Sequence, residues 1–277
     1  MTSAQAIREA RANYAAEIVD RTGRRGADAA RVEEAFAAVP RELCLTPPRW
    51  RIFSPGGLFA RKTSCPSDLY EDVLVVLDRR RGINNGQPSL HAAWMAAVAP
   101  RPGDVAVQVG AGSGYYTAIL AELVGPTGRV EAYEIEPGLA ARARDNLAAW
   151  PNVEVRAESG LGAIPDADVI YVAAGLDAPP AAWLRALRPG GRLVLPWQPH
   201  ERAGTTLLVR RTSAGFSAQA LFDVRFIDCI GRTQEQPSHH LVDPRKVRSI
   251  RLRAEADPDE SALAAFDEVW FSAAEPR

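Results

Sequence analysis

Three glycines and one carboxylate are spaced as in sequences that bind a nucleoside. The segment VQVGAGSGYY places Gly110, Gly112 and Gly114 after an apolar run of strand length and before a run that suits a helix. Glycine lets the backbone turn sharply there and approach a ligand without a Cβ in the way. Glu134 ends the next strand-like run, where a carboxylate can accept both hydroxyls of a ribose. The pattern favours a nucleotide-binding sheet over a tight turn that holds no ligand.

A second segment with unusual chemistry is RGINNGQPSLHA, residues 81–92. It lies between two apolar runs, yet it contains two asparagines, two glycines, a glutamine, a serine and a histidine. A plain connecting turn needs fewer polar groups. The amides of Asn84, Asn85 and Gln87 could donate hydrogen bonds to a carboxylate, and Arg81 could add a charge-assisted contact. The alternatives are a hydrogen-bonded surface turn for the amides and, favoured for the arginines, a solvated run of charges.

Strand-like and helix-like runs alternate in the part of the chain that would position these residues. The strands are predicted as VAVQV, GRVEAYEIE, NVEVRA, ADVIYVAA and GGRLVLP, and the helices as YYTAILAELV, PGLAARARDNLAAW and PPAAWLRAL. Strands that alternate with helices of about 10–15 residues indicate βαβ units and a parallel sheet buried on both faces. We therefore predict an α/β fold that is doubly wound and Rossmann-like.

The flanking segments depart from this alternation. Residues 4–38 predict helix with a glycine break, and residues 40–69, rich in Pro, Gly and Ser, predict an irregular surface segment. The runs TTLLVRR and FSAQALFDVRFIDCI, joined by TSAG, predict an antiparallel hairpin at the edge of the sheet. Near the C-terminus VRSIRLRA predicts a strand and DPDE a helix start, with Asp257 as N-cap, Pro258 as the first residue and Glu260 as the third.

The composition excludes several classes of function. The chain has 277 residues, 47% hydrophobic and 24% charged, with a formal net charge of −1, which is an ordinary globular balance. That charge gives no basic field for nucleic acid or an anionic membrane, and no run approaches the roughly 20 apolar residues of a membrane span. The N-terminal pattern is charged and amphipathic, unlike a signal peptide. We expect a cytoplasmic protein without nucleic-acid or membrane partners.

The cysteines and histidines do not form a metal-binding pattern. The cysteines are widely spaced and form no CxxC pair: Cys44, Cys65 and Cys229. Three histidines lack a matching Cys or carboxylate constellation: His200, His239 and His240. We therefore predict neither a metal site nor a disulfide framework.

The motifs together resemble a known family of enzymes. The GxGxG loop lacks the third glycine of the dinucleotide fingerprint. Together with the acid after the second strand and the Pro-Gly-Gly turn of LRPGGRLVLP, the loop resembles that of class I S-adenosylmethionine-dependent methyltransferases. The resemblance narrows when six motifs are taken in order: VPRELC, YEDVLV, VAVQVGAGSGYYTAILAELVG, RVEAYEIEPGLAARARDNL, LRPGGRLVLP and VRFIDCIG. Residues 30–231 are thereby similar to the protein-L-isoaspartate O-methyltransferase family, which moves a methyl group from S-adenosylmethionine to the side carboxylate of damaged aspartyl residues.

The resemblance implies S-adenosyl-L-methionine as the cofactor. It places the cofactor contacts at His91, Gln108, Gly110, Gly112, Ser113, Gly114, Glu134, Ile135, Glu158, Ser159 and Gly160. Gln108 stands where the family has an acid that serves the methionine amine, and ESG at 158–160 replaces the Gly-Asp-Gly turn that addresses the adenine. Gln108 and Ser159 can still form hydrogen bonds, so we expect the cofactor to bind.

The resemblance also places the acceptor site. Residues 82–92 fall on the family loop that closes over the methyl donor and faces the acceptor. The predicted catalytic loop positions are Asn85, Gly86 and His91, and the predicted acceptor contacts are Arg81, Asn84, Asn85 and Gln87. Gly86 stands where the family has its loop serine. His91 would matter as a general base only for a hydroxyl or amine acceptor, and a structural histidine at a helix start is the alternative.

The sequence thus predicts an S-adenosylmethionine-dependent methyltransferase that O-methylates a carboxylate on a peptide or protein. The alternatives are a small-molecule methyltransferase of specialised metabolism and a non-catalytic cofactor-binding or regulatory protein. The predicted fold is a class I methyltransferase sheet, mostly parallel with an antiparallel edge hairpin. Residues 1–98 form the helical and acceptor-loop segment, 99–235 the cofactor-binding core and 236–277 a C-terminal appendage. The sequence does not indicate the oligomeric state.

Overall fold

The computed structural model describes residues 4–45, 49–55, 57, 59–199, 204–231 and 243–277. The described residues form two compact units. Unit 1 lies within residues 1–103 and 111–157, and unit 2 lies within residues 104–110 and 158–277. The helices are α1 (Ala4–Arg21), α2 (Ala27–Ala38), α3 (Arg41–Cys44), α4 (Pro88–Val98), α5 (Tyr115–Val124), α6 (Pro137–Asn146) and α7 (Ala181–Ala186). The strands are β1 (Trp50–Phe53), β2 (Arg61–Thr63), β3 (Leu74–Asp78), β4 (Ile83–Asn84), β5 (Val105–Val109), β6 (Arg129–Tyr133), β7 (Val153–Arg156), β8 (Ala167–Val172), β9 (Leu187–Trp197), β10 (Gly204–Thr212), β11 (Gly215–Val224), β12 (Ser249–Leu252), β13 (Ala262–Ala265) and β14 (Val269–Ser272).

The two N-terminal helices of unit 1 confirm the predicted helix with a glycine break. Gly26 precedes α2 with a φ of 95°, a conformation that other residues rarely adopt. Tyr14 and Ile18 of α1 and Val32 and Phe36 of α2 are buried, at spacings that place each pair on one helix face. These helices supply apolar surface against which α4 and α5 pack.

Two short strands interrupt the irregular segment that the sequence predicts for residues 40–69, and they join β3 and β4 in a small antiparallel sheet. Its strand order is β2-β1-β3-β4. Trp50 and Ile52 of β1 are buried with Val75 of β3 in one apolar cluster. The prediction was wrong there because β1 and β2 have only four and three residues, too few for an alternating pattern to stand out among prolines and glycines.

A buried arginine fixes the segment that leads into β3. The Arg41 side chain is fully buried and donates hydrogen bonds to the carbonyl oxygens of Leu69, Glu71 (3.2 Å) and Val73 (2.6 Å). Its guanidinium also lies 5.7 Å from the ring centroid of Tyr14. Because a planar fork can hold several carbonyls at once, this one side chain anchors the chain just before the predicted acceptor loop.

The β6–α6–β7 part of unit 1 follows the prediction closely. Strands β6 and β7 pair in parallel, with Val130 opposite Val153. Pro137 occupies the first turn of α6, where its missing N–H costs no helical hydrogen bond. The parallel pair joined by a helix confirms the predicted βαβ unit at this point.

Unit 2 contains a mixed sheet with the strand order β13-β14-β12-β11-β10-β9-β8-β5. Strands β5, β8 and β9 are parallel, with Val107, Ile170 and Leu193 fully buried side by side. Strands β10 and β11 form the predicted antiparallel hairpin, turning at residues 212–215. The sheet does not end at this hairpin, because β12, β14 and β13 continue it through antiparallel pairs.

The Pro-Gly-Gly sequence lies inside a strand instead of before one. Ala167 is opposite Leu187 and Val169 is opposite Arg192, so residues 188–191 bulge out of the ladder. Gly190 has a φ of 77° in this bulge. The sequence therefore predicted the irregularity correctly but placed the start of β9 too late.

The helix predicted from DPDE is wrong. Asp257, Pro258 and Glu260 precede a hairpin of β13 and β14, and no described residue after them is helical. The side chains of Trp270 and Phe271 on β14 are fully buried. The local capping signal was misleading because the two apolar runs that follow, separated by Asp-Glu, form strands: β14 pairs with β12, and β13 pairs with β14. Among the described helices, none combines the length and the apolar character that crossing a membrane requires.

Candidate active site

The glycine loop of unit 1 has the conformation that its sequence predicts. Gly112 and Gly114 have φ values of 59° and 91°, and Gly114 directly precedes α5. A Cβ at Gly114 would lie 2.8 Å from Cδ1 of Leu147, and one at Gly112 would lie 3.3 Å from Cδ1 of Leu77. The backbone angle favours glycine at both positions, and at Gly114 the close packing disfavours a side chain as well. Leu77 is part of β3, so the glycine loop and the strand that precedes the amide loop are in contact.

Glu134 fastens this loop to the end of β6. Its Oε2 accepts a hydrogen bond from the Gly112 N–H at 2.7 Å, and its Oε1 accepts one from the Glu136 N–H at 2.9 Å. The side chain is buried, and burial raises the pKa of its carboxyl, while the backbone donors oppose that rise. A carboxylate has about four acceptor positions, so both oxygens retain capacity for ligand hydroxyls.

Two hydroxyl groups next to the glycine loop are buried without a partner. Ser113 Oγ and Thr117 Oγ1 meet no hydrogen-bonding group within the described residues. Ser113 is the fourth residue of the loop and Thr117 lies in the first turn of α5. Because buried polar atoms in folded proteins nearly always have partners, these two hydroxyls are candidates for contact with a polar ligand.

Most of the polar groups in the amide loop hold the loop itself. Asn84 Oδ1 accepts from the Gly86 N–H at 2.8 Å. Gln87 Nε2 donates to Asp72 Oδ2 and to Ser89 Oγ, both at 2.9 Å. Asp72 also accepts from the N–H and hydroxyl of Ser89 at the start of α4. The predicted acceptor contacts Asn84 and Gln87 thus have structural partners, and their contact with an acceptor stays a prediction.

Asn85 differs from its neighbours. Its backbone N–H donates to the Val75 carbonyl at 3.0 Å, and its Oδ1 accepts from the Val75 N–H at 2.7 Å. The side chain is only 8% exposed, and its Nδ2 meets no hydrogen-bond acceptor among the residues that the structure describes. Asn85 therefore holds an unused donor in the amide loop.

Gly86 and His91 are in close contact. Gly86 has a φ of 76°, and a Cβ built there would fall on the His91 ring, 2.9 Å from Cδ2 and closer still to Nε2. The ring stacks on Tyr116 with centroids 3.7 Å apart, and the Tyr116 hydroxyl donates to the Gly86 carbonyl at 3.2 Å. The position at which the family pattern has a serine is thus filled by the imidazole.

His91 is neutral in the folded protein. Burial, with a smaller contribution from the charge of Arg41, lowers the pKa of its imidazole to about 3. A base of that strength is poorly matched to proton abstraction near neutral pH. Geometry and charge favour a structural role for His91 over that of a general base, and its contact with the cofactor stays a prediction.

The lowered pKa of His91 predicts a pH-dependent stability. The unfolded chain binds a proton at His91 below about pH 6.5 and the folded chain does not, so acid favours unfolding between that pH and about pH 3. Between pH 7 and pH 5 we expect the wild type to lose about 2 kcal/mol more unfolding free energy than His91→Gln, measured by urea denaturation. Equal losses in the two proteins would contradict a neutral buried histidine.

Arg81 pairs with acids next to the loop. It forms an ion pair with Glu136 and lies 3.7 Å from Asp78, and about half of its side chain is exposed. The Arg81 guanidinium is therefore partly solvated and already paired with carboxylates. Its predicted contact with an acceptor stays a prediction.

The remaining predicted cofactor positions belong to unit 2. Gln108 of β5 is 1% exposed, and its Oε1 has no partner among the described residues. Gly110 has a φ of 84°. In the ESG turn, Ser159 Oγ accepts from the Leu161 N–H at 3.3 Å, and the Gly160 carbonyl accepts from Trp183 Nε1 at 2.8 Å. The turn is therefore fixed, and the buried Gln108 oxygen is suited to accept from an ammonium group.

Sequence reasoning missed three residues that shape this site. Asp72 joins the amide loop to α4, Tyr116 supports Gly86 and His91, and Thr117 contributes a buried hydroxyl. The signal for Asp72 is its place in YEDVLV, a motif that indicates the family but assigns this residue no role. No described group of three or more His, Cys, Asp or Glu side chains could hold a metal ion, and His200, His239 and His240 lie outside the described residues.

Comparisons with known proteins show the family to which the chain belongs. The signature of the family described as Protein-L-isoaspartate(D-aspartate) O-methyltransferase matches residues 58–234. The protein-L-isoaspartate O-methyltransferase of Ignicoccus hospitalis is 34% identical over 206 residues, covering 72% of this chain and 88% of its own. That of Aeropyrum pernix is 34% identical over 211 residues, covering 73% of each.

Solved structures extend the likeness to the fold. A protein-L-isoaspartate O-methyltransferase superposes with a TM-score of 0.66 at 25% identity, over 79% of this chain and 66% of that one. A beta-aspartate methyltransferase from Plasmodium falciparum, solved with S-adenosyl-L-homocysteine, gives a TM-score of 0.62 at 18% identity, over 81% of this chain and 99% of that one. The predicted α/β methyltransferase fold is thereby confirmed.

The family signature covers more than half of the chain, and relatives above 30% identity cover more than two thirds of it. The glycine loop, the buried Glu134 and the unpartnered hydroxyls beside them suit the cofactor of that family. The chain therefore belongs to the protein-L-isoaspartate(D-aspartate) O-methyltransferase family and is an S-adenosylmethionine-dependent methyltransferase.

Proposed function

We propose that the protein O-methylates the side-chain carboxylate of isoaspartyl residues in peptides or proteins. The observation that carries this proposal is the chemistry of the amide loop, in which the neutral Nδ2 of Asn85 is an unused donor and the buried His91 has a pKa lowered to about 3. A hydroxyl or amine acceptor would need a base, which His91 cannot supply near neutral pH. A carboxylate is already ionised there and needs only to be positioned. The names of the relatives support the same acceptor.

The cofactor would be held by the loop at 112–114 and by Glu134. S-adenosylmethionine, when bound, supplies a methyl group on a positively charged sulfur. Glu134 is placed to accept ribose hydroxyls, since it is buried and already oriented by two backbone donors. Ser113 and Thr117 offer hydroxyls that have no other described partner. Ile135, 37% exposed, and the unit 2 positions Gln108, Gly110 and 158–160 stay predicted cofactor contacts.

The protein's own contribution to catalysis is to orient an acceptor and exclude water. Arg41 anchors the segment before β3, and Asp72 ties that segment to the start of α4. The loop between them is thus held from both ends without a bound ligand. Positioning of this kind supplies much of the acceleration in a displacement that needs no general base.

The direct test uses two peptides that differ only in one linkage. We expect labelled S-adenosylmethionine to methylate an isoaspartyl peptide at least tenfold faster than its normal aspartyl twin. The ester formed should be lost in mild base, which an N-methyl group or an ordinary ether would survive. Equal labelling of the twins, or no labelling by a protein that still binds S-adenosylhomocysteine, would overturn the proposed acceptor.

A further inference from the structure

One buried donor in the amide loop has no structural use. The Nδ2 of Asn85 is enclosed, and no hydrogen-bond acceptor reaches it in the described part of the chain. Leaving a buried donor unpaired costs free energy, so folded proteins rarely keep one without a reason. The same loop gives partners to Asn84 Oδ1 and to both N–H groups of Gln87.

The direction of the Asn85 amide is fixed. The backbone N–H of Val75 can only donate a hydrogen bond, so the side-chain atom that faces it must be the oxygen of Asn85 and not the nitrogen. A second bond, from the Asn85 N–H to the Val75 carbonyl, holds the residue against β3. The amide cannot flip without placing a donor against a donor. The group presented away from β3 is therefore an NH2.

Neighbours of Asn85 contact the glycine loop and the helix that follows it. Leu77, two residues beyond Val75 on β3, is the side chain that a Cβ at Gly112 would meet. On the other side, the carbonyl of Gly86 accepts from Tyr116 in the first turn of α5. Thus Leu77, on the strand to which Asn85 is bonded, contacts the glycine loop. Gly86, the next residue in the chain, contacts the helix that follows that loop.

The neighbouring positions cannot take its place. Gly86 carries no side chain, and the space where one would project is filled by His91. Gln87 is turned toward Asp72 and Ser89. Asn84 is half-buried, so water can satisfy its amide.

We infer that Asn85 Nδ2 donates the hydrogen bond that positions the acceptor carboxylate, which makes Asn85 a specificity-determining residue of this enzyme. The inference rests on the proposed carboxylate acceptor. A group that only donates needs a partner that can accept, and both oxygens of an ionised carboxylate accept. Because the donor is neutral, it orients the carboxylate and leaves more of its charge for attack than an arginine would.

The test replaces the donor and keeps the structural acceptor. Asn85→Asp retains an oxygen for the Val75 N–H and places a second oxygen where the NH2 stood. We expect isoaspartyl peptide to bind the S-adenosylhomocysteine complex of this variant at least tenfold more weakly, by calorimetry. The affinity for S-adenosylhomocysteine itself should change less than twofold. Gln219→Glu makes the same chemical change on the exposed face of β11 and should bind peptide as the wild type does.

A second variant covers the case in which a buried charge unfolds the protein. Asn85→Leu has a similar volume, no charge and no donor, and it should show the same loss of peptide affinity. Wild-type peptide affinity in either variant, with the protein folded by its melting curve, would overturn the inference.

A spectroscopic measurement separates this inference from the proposed function. The side-chain NH2 signal of Asn85, assigned by its absence in the variants, should shift when succinate is added to the S-adenosylhomocysteine complex. If the wild type binds no isoaspartyl peptide, the proposed acceptor is wrong, and the succinate titration still decides the role of Asn85. A signal that does not move with succinate or with peptide would refute that role.

Discussion

Replacing Gly86 by serine should cost about 2–4 kcal/mol of unfolding free energy and remove most methyl transfer. Two effects add at this position. The backbone φ of 76° disfavours any residue with a Cβ, and the added Cβ falls on the His91 ring. The imidazole has little freedom to move, because it is buried and stacked on Tyr116. Restoring the family's usual residue should therefore damage this enzyme.

Gly23, in the turn between α1 and α2, provides the matched control for this substitution. It has a similar φ of 65°, but a Cβ there would meet nothing within 4 Å. Gly23→Ser should therefore cost only the backbone strain, about 1 kcal/mol, and keep its activity. Urea denaturation and peptide methylation of the two variants check both points. Full activity in Gly86→Ser would show that His91 can leave its place and that the loop is less rigid than its contacts indicate.

Replacing Glu134 by glutamine should weaken S-adenosylhomocysteine binding by about ten- to a hundredfold, since a hydrogen bond to a charged acceptor contributes about 1.5–3 kcal/mol. The carboxylate accepts from Gly112 on one oxygen and from Glu136 on the other. In a glutamine one of these N–H groups must face an NH2. The substitution therefore disturbs the glycine loop and also removes the charge that a ribose hydroxyl would meet.

Calorimetric titration with S-adenosylhomocysteine measures this effect directly. The rise in melting temperature that the ligand causes in the wild type should shrink in parallel. Glu34→Gln makes the same change at an exposed position of α2 and should leave both quantities unaltered. If Glu134→Gln binds S-adenosylhomocysteine within twofold of the wild-type affinity, the cofactor does not depend on this carboxylate for binding.

The sequence predicted the elements whose apolar runs are long. Val107 and Ile170 are fully buried, and the apolar runs that contain them, alternating with helix-like runs, indicated a parallel sheet. The short strands at Trp50 and Arg61 were missed, since four residues cannot establish a period. The C-terminal helix was wrong because a capping signal at Asp257 is local, whereas the pairing of β14 with β12 depends on distant chain.

The candidate site divides in the same way. The glycines at 112 and 114 and the acid at 134 were predictable, because a turn that needs positive φ and a carboxylate at a strand end leave marks in the sequence. The overlap of Gly86 with His91 was not, since it depends on the path of the loop. Nor could the sequence show which amide of the loop is unused, because Asn84 and Asn85 are the same residue type in different surroundings.

The continuation of the sheet beyond the β10–β11 hairpin matters during synthesis on the ribosome. Strand β11 ends at Val224 and its outer neighbour β12 begins at Ser249, so β11 is complete before its partner has been translated. At about 5–20 residues per second, its outer edge stays open for a few seconds in every nascent chain. An open edge can pair with another chain, and ribosomes on one message hold such chains close together. The speed at which residues 225–252 are translated should therefore influence how much of this enzyme reaches its native state.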